Sequence, residues 1–209
     1  MTKRRFLHLL LMAIGGSAMS AYASNNLQEC MPSLFVGHGS PLIGIETNKF
    51  TQSLNCLGKE LKEPAAILVI SAHWMTPFNA VSIHNNGKLI YDFFGFPEPL
   101  YHVEYPAPSA EFLIPSIQKN ISDIKIKERG LDHGAWTILK HLFPNATVPV
   151  MQLAINTKFT LQEHFDFGRK LRKLREQGVM IIGSGNITHN LSLIDGAEDA
   201  VPPHWAIDF

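Results

Sequence analysis

Four short apolar runs, none of them alternating with polar residues, recur along the chain. They lie at 33–36 (SLFV), 65–71 (AAILVIS), 148–155 (VPVMQLAI) and 178–184 (GVMIIGS). Runs of this length rich in Val, Ile and Leu are typical of strands that are covered on both faces. The pattern therefore predicts a parallel sheet in the interior of the protein.

Segments with helical spacing of apolar residues separate these runs. They lie at 49–61, 109–121, 134–143 and 160–177. The alternation predicts an α/β fold with three layers, in which a mainly parallel central sheet carries helices on both faces of a single domain. Ligands of such sheets bind in the crevice outside the carboxyl ends of the strands. Residues directly after each predicted strand are therefore the first candidates for a functional site.

The segment 81–109 has a different pattern. Asn86 and Gly87 lie between two apolar runs, which predicts a hairpin turn with His84 at the surface. The aromatic and proline-rich stretch that follows predicts irregular structure. It fits a pocket wall or lid and, equally well, a satellite hydrophobic cluster under a long connection.

Three histidines follow predicted strands. His38 lies between two glycines, His73 follows the second run, and His189 follows the glycine-rich end of the fourth. Neutral imidazole is a common ligand of divalent transition metals. One such histidine by itself would be interpreted as a polar residue satisfied at a turn, but three at one edge of the sheet favour a metal site.

A further histidine, His133, precedes a predicted helix and follows Asp132. Because its ordinary pKa is near neutrality, a histidine at this place suits proton transfer. Asp132 either takes part in this chemistry or is an ordinary helix N-cap, and the pattern does not separate the two.

The amino-acid composition limits the classes of binding partner that can be expected. Among 209 residues, Lys and Arg number 18 and Asp and Glu also number 18, so there is no basic field that would attract nucleic acid or an anionic membrane. Neither is expected as a partner. The hydrophobic content of 45% is that of one globular domain, which we expect over 24–209.

The first 23 residues are expected to be an export signal. Three cationic residues precede a short apolar stretch at 6–14, and small residues lead to Ala23. A lone membrane anchor is the alternative, although the stretch is short for a span. Residues 2–8 resemble a twin-arginine signal, with Lys3 in place of the first arginine. We therefore expect a periplasmic or otherwise exported protein.

Five motifs occur in a characteristic order: GHGSP, SAHW, YDFFGFPEPLYHVEYPAP, LDHGAW and GSGNITHN. In order and spacing they resemble the DOPA-type (class III, LigB-like) extradiol aromatic ring-opening dioxygenases, from about Met31 onwards. The resemblance implies a non-haem metal site that uses Fe(II) for activity and often holds Zn(II). It also implies insertion of O2 into a small catechol such as 4,5-DOPA.

The resemblance assigns roles to individual residues. It implies His38, His73 and His189 as metal ligands and His133 as the catalytic acid/base. The residues that it implies for substrate binding are Ser40, Trp74, Tyr91, Phe93, Tyr105 and Asn186.

Compared with the family pattern, the chain is expected to be short at its C-terminus, without a later histidine motif that supplies a further metal ligand. Two alternatives therefore stand beside an active dioxygenase. One is an inactive relative that binds only metal or catechol. The other is a zinc-dependent hydrolase, because three histidines and a water also serve metal-assisted hydrolysis.

Overall fold

A computed structural model describes residues 30–85, 87–187 and 200–208. The predicted export signal and His189 lie outside the described residues. The strands are β1 (Ser33–Val36), β2 (Ala66–Ser71), β3 (Met75–Thr76), β4 (Ala80–Ile83), β5 (Lys125–Glu128), β6 (Val150–Gln152), β7 (Ile155–Asn156) and β8 (Val179–Ser184).

The helices alternate with these strands. They are α1 (Lys49–Glu60), α2 (Ile114–Asn120), α3 (His133–Leu142), α4 (Leu161–Arg175) and α5 (His204–Asp208). Three 3-10 helices lie at Pro41–Gly44, Glu98–His102 and Glu111–Leu113. In the part of the chain that the structure describes, no helix has both the length and the apolar character needed to cross a membrane.

The central sheet has the order β1-β8-β2-β6, and all of its strands are parallel. One apolar cluster joins Ile67 and Ile182 of the sheet to Leu54 of α1 and Trp136 of α3. A second cluster joins other sheet residues to α2 and α4. The prediction of a three-layer α/β domain is confirmed.

The register of the sheet aligns the ends of three strands. Ser184 of β8 pairs with Val36 of β1 on one side and with Ser71 of β2 on the other. Because parallel strands end at the same edge, the segments after β1 and β2 leave the sheet side by side. His38 and His73 each lie two residues beyond the end of their strand, and they therefore lie at the same edge of the sheet.

The predicted hairpin at 86–87 is wrong. β4 pairs in parallel with β5 instead of with the apolar run that follows it, while Asn86 itself lies outside the described residues. Gly87 has a φ of 69°, and a Cβ there would lie 2.4 Å from the Tyr105 oxygen. Gly87 thus allows the main chain to pass close to the segment around Tyr105.

His84 is buried, contrary to the prediction. Its Nε2 lies 3.1 Å from the Val150 carbonyl oxygen, and its Nδ1 accepts a hydrogen bond from the Gly87 amide. This pair of partners defines a neutral ring protonated at Nε2. Burial lowers the pKa of His84, which favours the same neutral form.

Two predicted elements are divided. The run at 148–155 forms β6 and β7, because the Leu153 amide still donates to Val69 of the central sheet whereas the Ala154 amide donates to Ala80 of β4. The helix predicted at 109–121 begins as a 3-10 turn and becomes α-helical at Ile114.

Candidate metal centre

Two strand-end histidines face each other. The Nε2 atoms of His38 and His73 are 3.0 Å apart. Ligand nitrogens that share one metal at about 2.0–2.1 Å are separated by roughly this distance. The His38 ring is buried, whereas the side chain of His73 is 23% exposed, so the pair lies at the boundary between core and solvent.

His133, the first residue of α3, completes a group of three imidazoles. Its ring centroid lies 3.9 Å from that of His73 and 5.3 Å from that of His38. One nitrogen from each ring lies within 4.8 Å of the others, so the three residues could hold a metal ion. The predicted third ligand, His189, lies outside the described residues, and its role stays a prediction.

Hydrogen bonds at Nδ1 define how two of the rings are oriented. Ser184 Oγ donates to the Gly134 carbonyl oxygen, so its lone pair accepts from His38 Nδ1 at 2.9 Å. His133 Nδ1 donates to Asp92 Oδ1 at 2.8 Å. In both rings the proton is held at Nδ1, so Nε2 is the nitrogen that carries the lone pair.

Asp92 is a functional residue that the sequence analysis did not single out. Its Oδ1 accepts from both the amide and Nδ1 of His133, and its Oδ2 lies 3.5 Å from Nδ1 of His73. Burial raises the pKa of Asp92, but hydrogen bonds and charge from His133 outweigh it and leave the pKa below its ordinary value. Only its position in the aromatic YDFFGF motif could have pointed to it.

Asp132 is not a capping side chain. It occupies the N-cap position of α3, but its carboxylate makes no capping hydrogen bond and is fully buried against Ser71, Arg129 and Gln152. Asp92 accepts from the amide of His133, the first residue of α3, and the Ala135 amide donates to the main-chain oxygen of Asp132. This separates the two roles that the pattern had left open.

Gly134 allows α3 to approach the histidines. A Cβ at this position would lie 2.5 Å from Ser71 Oγ, 3.0 Å from a carbon of His73 and 3.2 Å from a carbon of His38. Contacts below 3.0 Å require the neighbours to move. The first turn of α3 therefore packs directly on the candidate metal centre.

The aromatic segment reaches His133. The Phe93 ring meets the His133 ring edge to face at 5.5 Å between centroids. Phe93 also packs with a group of aromatic rings: Tyr91, Phe96, Tyr101 and Trp136. Tyr91 is fixed by a 2.7 Å hydrogen bond from its hydroxyl to the Val103 carbonyl oxygen. The segment thus forms an aromatic surface next to the histidines.

Three other residues predicted to bind substrate make contacts outside this aromatic surface. Asn186 Oδ1 accepts from the Gly39 amide at 3.0 Å and so ties the loop after β8 to the His38 loop. Ser40 caps the 3-10 helix that follows. Trp74 is buried and lies 5.2 Å from the guanidinium of Arg129.

Tyr105 is a core residue in the structure. It is 2% exposed, and its hydroxyl donates to the Phe143 carbonyl oxygen at 3.0 Å. Burial raises the pKa of this phenol well above its ordinary value. These contacts favour a structural role, whereas its predicted role in substrate binding stays a prediction.

Comparison with known proteins identifies the family. Residues 35–207 match the family described as the catalytic LigB subunit of aromatic ring-opening dioxygenase. The chain belongs to this family. The match covers most of the chain and includes every described residue of the candidate metal centre.

Individual relatives agree with the family match. This chain is 41% identical over 183 residues to a 4,5-DOPA dioxygenase extradiol from Escherichia coli (strain K12), and the alignment covers 86% of this chain and 68% of the relative. It is 37% identical over 196 residues to a 4,5-DOPA dioxygenase extradiol from Beta vulgaris, covering 90% and 72%.

A solved structure shares the fold of this LigB chain. The crystal structure of an uncharacterised protein from Escherichia coli K12 matches with a TM-score of 0.72 and 35% identity, covering 85% of this chain and 69% of the other. With the family match, these likenesses confirm the prediction of an extradiol aromatic ring-opening dioxygenase.

The residues present fit the metal that LigB dioxygenases require. The described donor set consists of three closely spaced imidazoles, two of which have their protons held at Nδ1 by other groups. A transition-metal ion with open positions for an aromatic substrate and O2 is compatible with nitrogen ligands of this type.

Proposed function

We propose that this LigB chain opens the ring of a small catechol such as 4,5-DOPA, with Fe(II) as the active metal. The observation that carries the proposal is the group of three imidazoles beside an aromatic surface. The relatives named 4,5-DOPA dioxygenases support the choice of substrate. A bound ferrous ion would supply redox chemistry between the diol and O2, which Zn(II) lacks.

In this proposal, His38 and His73 hold the metal, with His189 as the predicted third ligand. Their Nε2 atoms already face each other at 3.0 Å. Ser184 orients the ring of His38 through Nδ1, as groups behind metal-bound imidazoles commonly do.

His133 accepts a proton from the catechol and returns it later in the reaction. Asp92 holds the proton of His133 at Nδ1, so Nε2 is the nitrogen that would take up the catechol proton. The carboxylate also stabilises the imidazolium that forms when Nε2 takes up a proton. This arrangement of base and orienting carboxylate supports the acid/base role.

The aromatic surface would receive the catechol ring. Phe93 lies against His133, so a ring packed on Phe93 would bring its hydroxyl groups close to the acid/base. Tyr91 and Trp136 pack against the Phe93 ring. Offset or edge-to-face aromatic contacts of this kind favour binding without fixing the ring substituents.

The test is O2 uptake by the anaerobically prepared Fe(II) protein after addition of 4,5-DOPA or catechol, together with absorbance of the ring-opened product. We expect stoichiometric uptake with Fe(II) and none with Zn(II). His38→Ala should abolish uptake, whereas His164→Ala on α4 is the matched control. No uptake by the folded Fe(II) protein would contradict the proposal and favour a relative that only binds metal or catechol.

A second comparison separates the two roles that His133 could have. If His133 is the acid/base, His133→Gln lowers kcat but leaves Fe(II) affinity close to that of the parent protein. If His133 is a metal ligand, the same substitution lowers Fe(II) affinity as much as His73→Gln does. Metal titration of both variants therefore decides between them.

We also propose that the chain is exported, because of the cationic and apolar pattern over residues 1–23. Fusion of residues 1–30 to a reporter that is active only after export tests this. Export that survives Lys3→Gln and Arg4→Gln together would contradict the twin-arginine route.

A further inference from the structure

A buried carboxylate lies beneath the candidate metal centre. Asp132 has no exposed surface, and its two oxygens accept three hydrogen bonds from side chains. Ser71 Oγ donates to Oδ1 at 2.6 Å, while Gln152 Nε2 and Arg129 Nη2 donate to Oδ2 at 2.7 Å and 3.2 Å. Each of the two oxygens thus has at least one hydrogen-bond donor, as buried polar groups generally do.

Two of these partners also bind the main chain of His73. Ser71 Oγ accepts from the His73 amide at 3.2 Å, and Arg129 Nη2 donates to the His73 carbonyl oxygen at 3.4 Å. The Ser71 hydroxyl can accept from His73 because its proton points to Asp132. Both main-chain polar groups of His73 are therefore connected to one carboxylate.

Arg129 has a further contact that limits its movement. Its guanidinium lies 5.2 Å from the Trp74 ring, directly after His73. Within the described part of the chain, the buried Nε of Arg129 has no hydrogen-bond partner. The side chain therefore occupies this position at the cost of one hydrogen bond. Buried ion pairs seldom add net stability, and their better attested use is to specify one arrangement.

We infer that Arg129, Ser71 and Asp132 act as positioning residues for His73. Asp132 fixes the Ser71 hydroxyl and the Arg129 guanidinium, and these two hold the peptide groups on either side of the His73 side chain. Because Asp132 directly precedes His133, the same carboxylate also couples the placement of both histidines. The inference rests on the proposed function of His73 as a metal ligand.

The test compares Ser71→Ala, Arg129→Lys and Asp132→Asn with Leu171→Ala, a substitution in the core on α4. Each folded variant is titrated with Co²⁺, and its visible spectrum is recorded. We expect the dissociation constant to rise on the order of 10–100-fold in the three network variants, with a changed spectrum. Leu171→Ala should lower the melting temperature but leave the dissociation constant and the spectrum unchanged.

A second measurement needs no metal. Ring signals of His73 in the ¹⁵N-histidine-labelled, metal-free protein, assigned with His73→Gln, should shift in Ser71→Ala and Arg129→Lys but not in Leu171→Ala. If Asp132→Asn does not fold, these two variants decide. Unchanged His73 signals would overturn the inference even where the parent protein binds Co²⁺. A parent protein that binds no Co²⁺ would instead overturn the proposed function.

Discussion

Two helices of this LigB chain begin in contrasting ways. α4 begins with a local capping box, in which Thr160 and Glu163 satisfy each other's amides. α3 begins at the candidate metal centre, where the side chain in the N-cap position turns into the core and Asp92 binds the first amide from 41 residues away. A helix start that forms part of a functional site is thus satisfied by distant groups.

The difference has a physical reason. A capping box needs only neighbours in sequence, so it forms together with the helix and places no demand on the rest of the fold. At α3 the Asp92 carboxylate, which accepts from the first amide, also binds His133 Nδ1 and lies near His73. The helix start and the imidazoles are therefore positioned by the same group, and a change to one should affect the other.

The largest effect is expected from Gly134→Ala. The added Cβ would lie 2.5 Å from Ser71 Oγ and would press on the rings of His73 and His38. Overpacking of this kind costs about 1–3 kcal/mol of stability. We expect metal affinity to fall on the order of 100-fold, measured by Co²⁺ titration. The matched control is Gly168→Ala on α4, where a Cβ would meet open space.

Asp92→Asn should have the next largest effect. The amide keeps the size of the carboxylate but removes its charge from His133 and His73. We expect ring-opening activity of the Fe(II) protein to fall on the order of 10–100-fold. Steady-state O2 uptake measures this, and Asp166→Asn on α4 is the control. Equal activity of the two variants would contradict the role of Asp92.

Thr160→Ala should destabilise the protein without changing the metal centre. Loss of an N-cap side chain costs about 1 kcal/mol. Chemical denaturation should show this decrease, while Co²⁺ affinity remains that of the parent protein. A change in metal affinity would show that the start of α4 is coupled to the candidate metal centre. It would contradict the conclusion that only the start of α3 is linked to this centre.

The smallest effect concerns the pH dependence at Glu163. Hydrogen bonds from Thr160 lower the pKa of this carboxyl below its ordinary value. A lowered folded-state pKa stabilises the protein above the unfolded-state pKa, and this contribution is lost as the pH falls through the folded-state value. Glu163→Gln should therefore have a lower melting temperature than the parent at pH 7, and the gap should close towards pH 3.

The sequence predicted the layered α/β fold and the positions of His38 and His73 at strand ends, because both depend on patterns within short segments. β2 is a buried apolar run as predicted, whereas β1 is an edge strand in which Phe35 is exposed, so the prediction that 33–36 is covered on both faces is wrong. Both runs nevertheless form strands, and His38 and His73 each follow their strand by two residues. The hairpin at 86–87 could not be excluded, since the turn residues agree with it and only the pairing of β4 with β5 replaces it.

Two features of the centre had no local signal. Asp92 is aimed at His133 across 41 positions, and Asp132 is bound to Ser71 across 61. The pattern before α3 left open whether Asp132 takes part in the chemistry of His133 or caps the helix, and it carried no signal of the inward position of Asp132. Side chains with several partners of similar strength take the partner that packing brings nearest.

The sequence by itself determined the layered α/β fold, the family and the histidines at the ends of β1 and β2, because periodicity and short motifs act over a few residues. The tertiary structure decided which groups orient those histidines and why Gly134 lies against them. Hydrogen bonds and contacts of a few ångströms depend on how α3 is placed on the sheet, and packing across the whole chain sets that placement.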